Sequence, residues 1–158
     1  MWQTTSYMYL NYLYGSNFNH MKKEIQSIIN FSVEYATELL EDVAELHPFG
    51  SFTDIKGQIH PLEMEIDKKN IPTNGKIIET LWNTCMEEME AKRTTAFGIA
   101  FESSLKFEED QDSVDVIVVI PSHNSESDLP AYCTPFHISK DGKVETGELF
   151  AVEKKFFN

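Results

Sequence analysis

The chain has 158 residues, of which 26 are acidic and 13 are basic, so its formal net charge is −13. Hydrophobic residues make up 41% and charged residues 25% of the chain, a balance typical of one globular domain with a real core. Seven glycines, six prolines and two cysteines exclude a collagen-like or low-complexity chain and a disulfide scaffold. A general DNA or RNA binder should be basic, because neutralised phosphates supply most of its affinity, so we expect no nucleic-acid partner.

The chain opens on an uncharged aromatic segment, residues 1–20, which contains no Lys, Arg, Asp or Glu. It lacks the basic start and smooth apolar run of a secretory signal. No stretch of about 18 apolar residues predicts a membrane span, and without a disulfide framework we expect a cytoplasmic location. Two interpretations stay open: a non-native or mis-assigned extension before a natural start at Met21, or an aromatic arm that docks on the domain or on a second subunit. The aromatic residues are Trp2, Tyr7, Tyr9, Tyr12, Tyr14 and Phe18.

The first predicted element of the domain is a helix over 22–46, whose apolar residues recur at helical spacing. Pro48 ends the pattern, because a residue before proline avoids the α conformation. Residues 48–66 then predict a β-hairpin around a turn at 54–57. Pro61 should lie on an edge strand, because proline cannot donate a hydrogen bond to a β-ladder.

The second half of the chain predicts one more helix and four strands. The strongest helical repeat of apolar residues covers 74–93, and alternating apolar residues follow over 95–107. The run 114–120 indicates a central strand that is nearly apolar on both faces, and a polar loop comes after it. The last two strands, 131–139 and 144–157, are joined by the hairpin turn Lys-Asp-Gly-Lys.

This order of elements, α-β-β-α-β-β-β-β, predicts an α+β fold. We expect a two-layer sandwich in which both helices pack on one face of an antiparallel sheet. No internal repeat and no linker divides the sequence, so the prediction is a single α+β domain over 21–158.

Motifs for catalysis and cofactor binding are weak or missing in the sequence. There is no GxGxxG, GxxxxGK[ST] or EF-hand pattern. Cys133 and His137 lie four residues apart on a predicted strand, roughly 13 Å between Cα atoms, which is too far to share a metal unless the strand bends at Pro135. Cys85 lies on the apolar stripe of the second helix, and the serines beside His123 show no nucleophile elbow. We therefore expect no cofactor and no metal, and we favour a non-enzymatic protein over an enzyme.

Acidic side chains at helical spacing are the most distinctive feature of the sequence. Taken singly, each is a solvated surface residue. If both helices cover one face of the sheet, however, their outer surfaces should form a broad negative field that attracts basic proteins. On the first helix, we select three of these residues as partner contacts: Glu38, Asp42 and Glu45.

The leading hypothesis is a non-enzymatic acidic module that binds a basic protein partner, for example an immunity protein or antitoxin that neutralises a cationic toxin. The alternative is a small enzyme or ligand-binding domain with a pocket between the sheet and the helices. A third hypothesis is homodimerisation through an exposed strand or through the aromatic arm. The polar groups available to the alternative are His47, His60, His123, Cys133 and His137.

Overall fold

The structure, a computed structural model, describes residues 21–126 and 128–157, so the predicted extension at 1–20 lies outside the described residues. The described part contains two α-helices, a seven-stranded antiparallel sheet and a short C-terminal 3-10 helix at Lys154–Phe157. This confirms the α+β class, the antiparallel sheet and the predicted order of elements. The elements are α1 (Lys23–Val43), β1 (Phe49–Thr53), β2 (Ile59–Leu62), α2 (Asn74–Glu90), β3 (Ala96–Leu105), β4 (Val114–His123), β5 (Ala131–Ile138), β6 (Val144–Thr146) and β7 (Phe150–Val152).

Both helices form where the apolar spacing predicted them, and local capping sets their ends. α1 ends three residues before its predicted limit, because Ala44 adopts a left-handed conformation (φ 55°) and its N–H bonds to the carbonyl of Leu40. α2 begins after Thr73, whose hydroxyl accepts a hydrogen bond from the N–H of Lys76. Within the described residues, no helix is long and apolar enough to cross a membrane.

The sheet has the strand order β2-β1-β3-β4-β5, with β6 and β7 lying end to end along the remaining edge of β5. β3 and β4 pair over ten residues, from Ala96 opposite His123 to Leu105 opposite Val114. Pro61 lies on the edge strand β2, opposite Ser51, which confirms its predicted position.

The helices lie on opposite faces of this sheet. Phe97 and Ile99 of β3 pack in one buried cluster with α2, whereas Ala100 packs in a second cluster with α1. The expected placement of both helices on one face therefore differs from the structure, in which the sheet is the middle of three layers. The reason lies in the central strand: Val118 contributes to the α2 cluster and Val119 to the α1 cluster, so both faces must be covered.

Two strand boundaries also differ from the prediction. β4 continues to His123 through Pro121, which was predicted to open a loop, because these residues pair with the start of β3. The predicted strand 144–157 is divided into β6 and β7, and it ends in the 3-10 helix. The division occurs at Gly147, whose N–H donates to the carbonyl of Pro135 before the chain moves on along the edge of β5.

Candidate functional site

The three predicted contact residues are exposed, but they do not form one cluster. Glu38 lies near Tyr35, whose hydroxyl donates to a carboxylate oxygen of Glu63 at 3.0 Å. The pKa of Tyr35 is raised, chiefly by burial and then by the carboxylates of Glu63 and Glu38. Glu45 instead follows the end of α1 and approaches Glu102 of β3. Glu38 therefore belongs to a different neighbourhood from Glu45.

Carboxylates gather where α1 ends beside β3 and β4. Ser104 of β3 is the register partner of Asp115 of β4, and its hydroxyl donates to the Asp115 carboxylate at 2.8 Å. No basic residue occupies the last turn of α1, although cations are favoured at this negative end of the helix dipole. We call this region the acidic end. Its mutually close carboxylates are Glu45, Glu102 and Asp115, and we include Glu41 and Asp42 because they lie in the last turn of α1.

The pKa of Glu102 is raised. Partial burial is the main cause, followed by the negative charges of Asp115 and Glu45. Glu102 and Asp115 were missed in the sequence because each stands alone in a strand pattern, and only the β3–β4 register brings the two strands together at this point. Their signal was that each is the one acidic residue within its strand.

We expect Glu102→Gln to make the domain more stable at pH 7, by about 0.5 kcal/mol after solvent screening. A carboxyl group with a raised folded-state pKa favours folding when protonated, and this contribution is lost as the pH rises through that pKa. The gain from glutamine should therefore disappear as the pH falls below about 4, where Glu102 is protonated in both states. Urea unfolding of the wild type and the variant from pH 3.5 to pH 8 measures this difference in stability. A gain that does not change with pH would contradict the idea that the charge of Glu102 destabilises the fold.

The acids of the second helix lie away from this end of the molecule. Since α2 covers the other face of the sheet, its carboxylates do not add to one field with those of α1, as the sequence had suggested. One of them, Glu88, binds Arg93 through two hydrogen bonds of 2.6 and 3.0 Å, which lowers its pKa. The negative surface of α2 is thus partly neutralised.

A second cluster of polar groups joins the start of α1 to the end of β4. The buried ring of His123 bonds through Nε2 to a carboxylate oxygen of Glu24 at 3.0 Å. Its Nδ1 accepts from the N–H of Ser125 at 3.1 Å and lies 2.9 Å from the Ser125 hydroxyl. Thr95 donates to the other carboxylate oxygen of Glu24. Sequence reasoning missed Glu24, because its partner His123 lies 99 residues away along the chain.

In this network of Ser125, His123 and Glu24, the described backbone donors beside the serine already have partners. The N–H of Ser125 already donates to His123, and the N–H of Asn124 donates to the carbonyl of Thr95. The N–H of Glu126 donates to the carbonyl of His123. Because these three donors around the serine are in use, none is directed at a substrate oxygen. The cluster fastens α1 to the turn after β4.

We expect Glu24→Gln to destabilise the domain by about 1 kcal/mol at pH 7, because a partly exposed, charge-assisted pair of hydrogen bonds is weakened. The pKa of Glu24 is lowered by its bonds to Thr95 and His123. Its contribution is therefore present above the unfolded-state pKa near 4.3 and is lost as the pH falls through the folded-state pKa. Thermal unfolding of the wild type and the variant at pH 7 and pH 3 tests this prediction. An equal difference in stability at the two pH values would contradict a contribution from the ionised Glu24 carboxylate.

The polar groups available to an enzyme lie on separate elements. His60 bonds Asp54 within the first hairpin, and exposed His137 pairs with Glu145 across β5 and β6. Cys133 is buried in the α2 cluster, where burial raises the pKa of its thiol. Exposed His47 lies near Glu45. In the described ranges, no three His, Cys, Asp or Glu residues come together as a metal site.

The space between the sheet and α2 is filled by side chains. Phe97, Ile99 and Phe101, which line that face of β3, are at most 1% exposed. Among the concavities of the described surface, an open groove at the junction of β5 and β6 measures about 470 Å³ and is lined by His137 and Glu145 among others. This packing argues against an enclosed pocket between β3 and α2, although an open groove lined by Ile78 and Trp82 of α2 and by Ile120 of β4 lies beside it.

Similarity to known proteins adds nothing to this geometry. No family model matches the chain, and no curated protein and no solved structure is significantly similar to it.

Proposed function

We propose that this protein is a non-enzymatic module that binds a basic protein through the acidic end. The observation that carries the proposal is the half-buried carboxylate of Glu102, which lies near Asp115 and Glu45 and has a raised pKa. Among residues 21–126 and 128–157, no lysine or arginine forms an ion pair with any carboxylate of the acidic end. A cationic partner would relieve this repulsion when it binds.

Helix stability does not account for acids at this place. Glu41 and Asp42 occupy the last turn of α1, where negative charge opposes the helix dipole by about 0.3–1 kcal/mol. Glu41 has a local role, because its carboxylate accepts the N–H of Val144 at 2.9 Å. Asp42 and Glu45 have no comparable bond to the backbone among the described hydrogen bonds. Glu45 does lie 3.6 Å from the exposed imidazole of His47, a contact that a cationic partner could replace.

The partner we propose is a folded protein with a lysine- or arginine-rich surface. An immunity protein or antitoxin that neutralises a cationic toxin, such as a nuclease, is a concrete form of this function. Negative charge would repel nucleic acid and accelerate encounter with such a toxin. Cys85 and Cys133 are free and buried, which supports a proposed site of action in the reducing cytoplasm.

The proposal is tested by capture at two ionic strengths. The immobilised full chain should retain a protein of high pI from a cell extract at about 20 mM salt, and should release it at about 500 mM, where screening is nearly complete. The captured protein should then bind the purified chain directly. If the extract yields only neutral or acidic proteins, or if retention is insensitive to salt, the acidic end is not a binding surface of this kind.

A further inference from the structure

An open groove of about 420 Å³ lies on the face of the sheet that α2 covers, between α2 and the 3-10 helix. Ile78 and Trp82 of α2 and Ile120 of β4 supply its apolar surface, and Lys154 of the 3-10 helix also lines it. A volume of this size falls within the range of sites that hold small organic ligands. The groove therefore has room for a ligand that contains one or two rings.

The apolar surface of this groove is held in place by the core. Ile78 and Ile120 are only 5% and 7% exposed, so they have little freedom to move. The partly buried indole of Trp82 packs edge to face against the fully buried ring of Phe97, with 5.0 Å between the ring centroids. Because these side chains are already ordered, a ligand loses little binding energy in fixing them. An aromatic ligand suits the surface, since aromatic rings pack favourably on the edge or face of an indole.

Lys154 gives the groove a positive charge. Its ammonium lies 5.8 Å from the centroid of the Trp82 ring. Among residues 21–126 and 128–157, no carboxylate forms an ion pair with Lys154, whereas the neighbouring Lys155 pairs with Glu153 at 2.9 Å. An ammonium has three N–H donors, so Lys154 can bond to a carboxylate while it stays over the indole.

One carboxylate of the protein also lines the groove. Glu79 is exposed and lies 3.8 Å from the ammonium of Lys76, which partly balances its charge. Lys154 is the only other charged residue among the described residues that line the groove, and Asn83 supplies a neutral amide. A cationic ligand over the indole would be repelled by Lys154. The charges of the groove therefore favour an anion.

We propose that this groove binds a small aromatic carboxylate, whose ring packs against Trp82, Ile78 and Ile120 and whose carboxylate pairs with Lys154. The groove lies on the face of the sheet that α2 covers, whereas the acidic end lies where α1 ends against the other face. The proposal thus goes beyond the function proposed above and does not depend on it.

Titration of the ¹⁵N-labelled full chain with cinnamate, a planar aromatic carboxylate, tests the proposal. Salt at about 150 mM screens the net charge of −13 beyond about 8 Å, so the local charge of the groove decides binding. We expect saturable shifts of the amide signals of Ile78, Trp82 and Lys154, with a Kd below about 5 mM for a ligand of this size. No saturable shift at these residues up to about 20 mM, or larger shifts elsewhere, would overturn the proposal.

Two ligands of nearly the same shape isolate the role of charge in the wild-type chain. Cinnamyl alcohol is neutral and cinnamylamine is cationic, so neither forms an ion pair with the Lys154 ammonium. Both should bind about ten-fold more weakly than cinnamate, because a charge-assisted hydrogen bond is lost. Equal affinity for the alcohol would show that the groove selects only apolar area, and tighter binding of the amine would show that it selects cations. Either result would overturn the proposal.

The matched variants are Lys154→Met and Lys155→Met in the full chain. Methionine keeps an apolar stem and removes the charge. Lys154→Met should weaken cinnamate binding about ten-fold, whereas Lys155→Met, at an exposed residue that pairs with Glu153, should change it less than about two-fold. Circular dichroism verifies that both variants are folded. An equal loss in both would mean that net charge attracts the ligand and would contradict a site at Lys154.

Discussion

Gly98→Ala is expected to destabilise the domain by about 2–3 kcal/mol, the cost of overpacking a tight core. A Cβ at this position of β3 would lie 2.8 Å from Cγ2 of Ile28 on α1 and 3.1 Å from Cγ1 of Val119. Ile28 is fully buried, so it has little room to move. The closer of these two contacts, with Ile28, exists because α1 covers this face of the sheet. Urea unfolding of the two proteins measures the difference.

The control for this prediction is Gly147→Ala. A Cβ at Gly147 would meet Pro135 at 3.5 Å, an ordinary van der Waals distance, on an exposed segment. We expect a change within about 0.5 kcal/mol. If Gly98→Ala were as stable as the wild type, α1 would not lie against β3 as described.

Neutralising the acidic end is expected to weaken binding of the basic partner ten- to hundred-fold at low salt, mainly through slower association. The variant combines Asp42→Asn, Glu45→Gln and Asp115→Asn, which keep the size of each side chain. These three residues lie where α1 ends beside the sheet, and asparagine at 115 retains an oxygen for the Ser104 hydroxyl. Surface-based kinetics with the captured partner give the rate constants.

The matched control removes the same number of charges elsewhere. Glu79→Gln, Glu87→Gln and Glu90→Gln alter exposed acids on α2, which covers the other face of the sheet. Both triple variants have the same net charge, so a difference between them reports position. An equal loss of binding in both would mean that net charge alone attracts the partner, and the acidic end would have no special role.

The helices and strands could be predicted almost completely from the sequence, because each has a local pattern of apolar residues. Their arrangement in three layers was not predicted, although the apolar run around Val118 and Val119 indicated that both faces of the sheet are covered. If both helices lay on the α2 face, Val119 and the other apolar side chains of the opposite face would be exposed to water. The two-sided burial of the central strand was therefore the stronger constraint.

The candidate site was predictable only where it lies on one helix. Asp42 and Glu45 could be found by their spacing along α1, but Glu102 and Asp115 join them through the strand register. Glu38 shares the helical spacing, yet it lies near Tyr35 and Glu63 rather than at the acidic end. Spacing along one helix does not reveal which sheet residues lie beside it.

The most direct test of the proposed function is amide chemical-shift mapping of the ¹⁵N-labelled full chain during titration with the captured basic protein at low salt. Binding at the acidic end predicts that the largest shifts occur at Asp42, Glu45, Glu102 and Asp115, and that added salt reverses them. Shifts confined to α2, or shifts that persist at high salt, would contradict it.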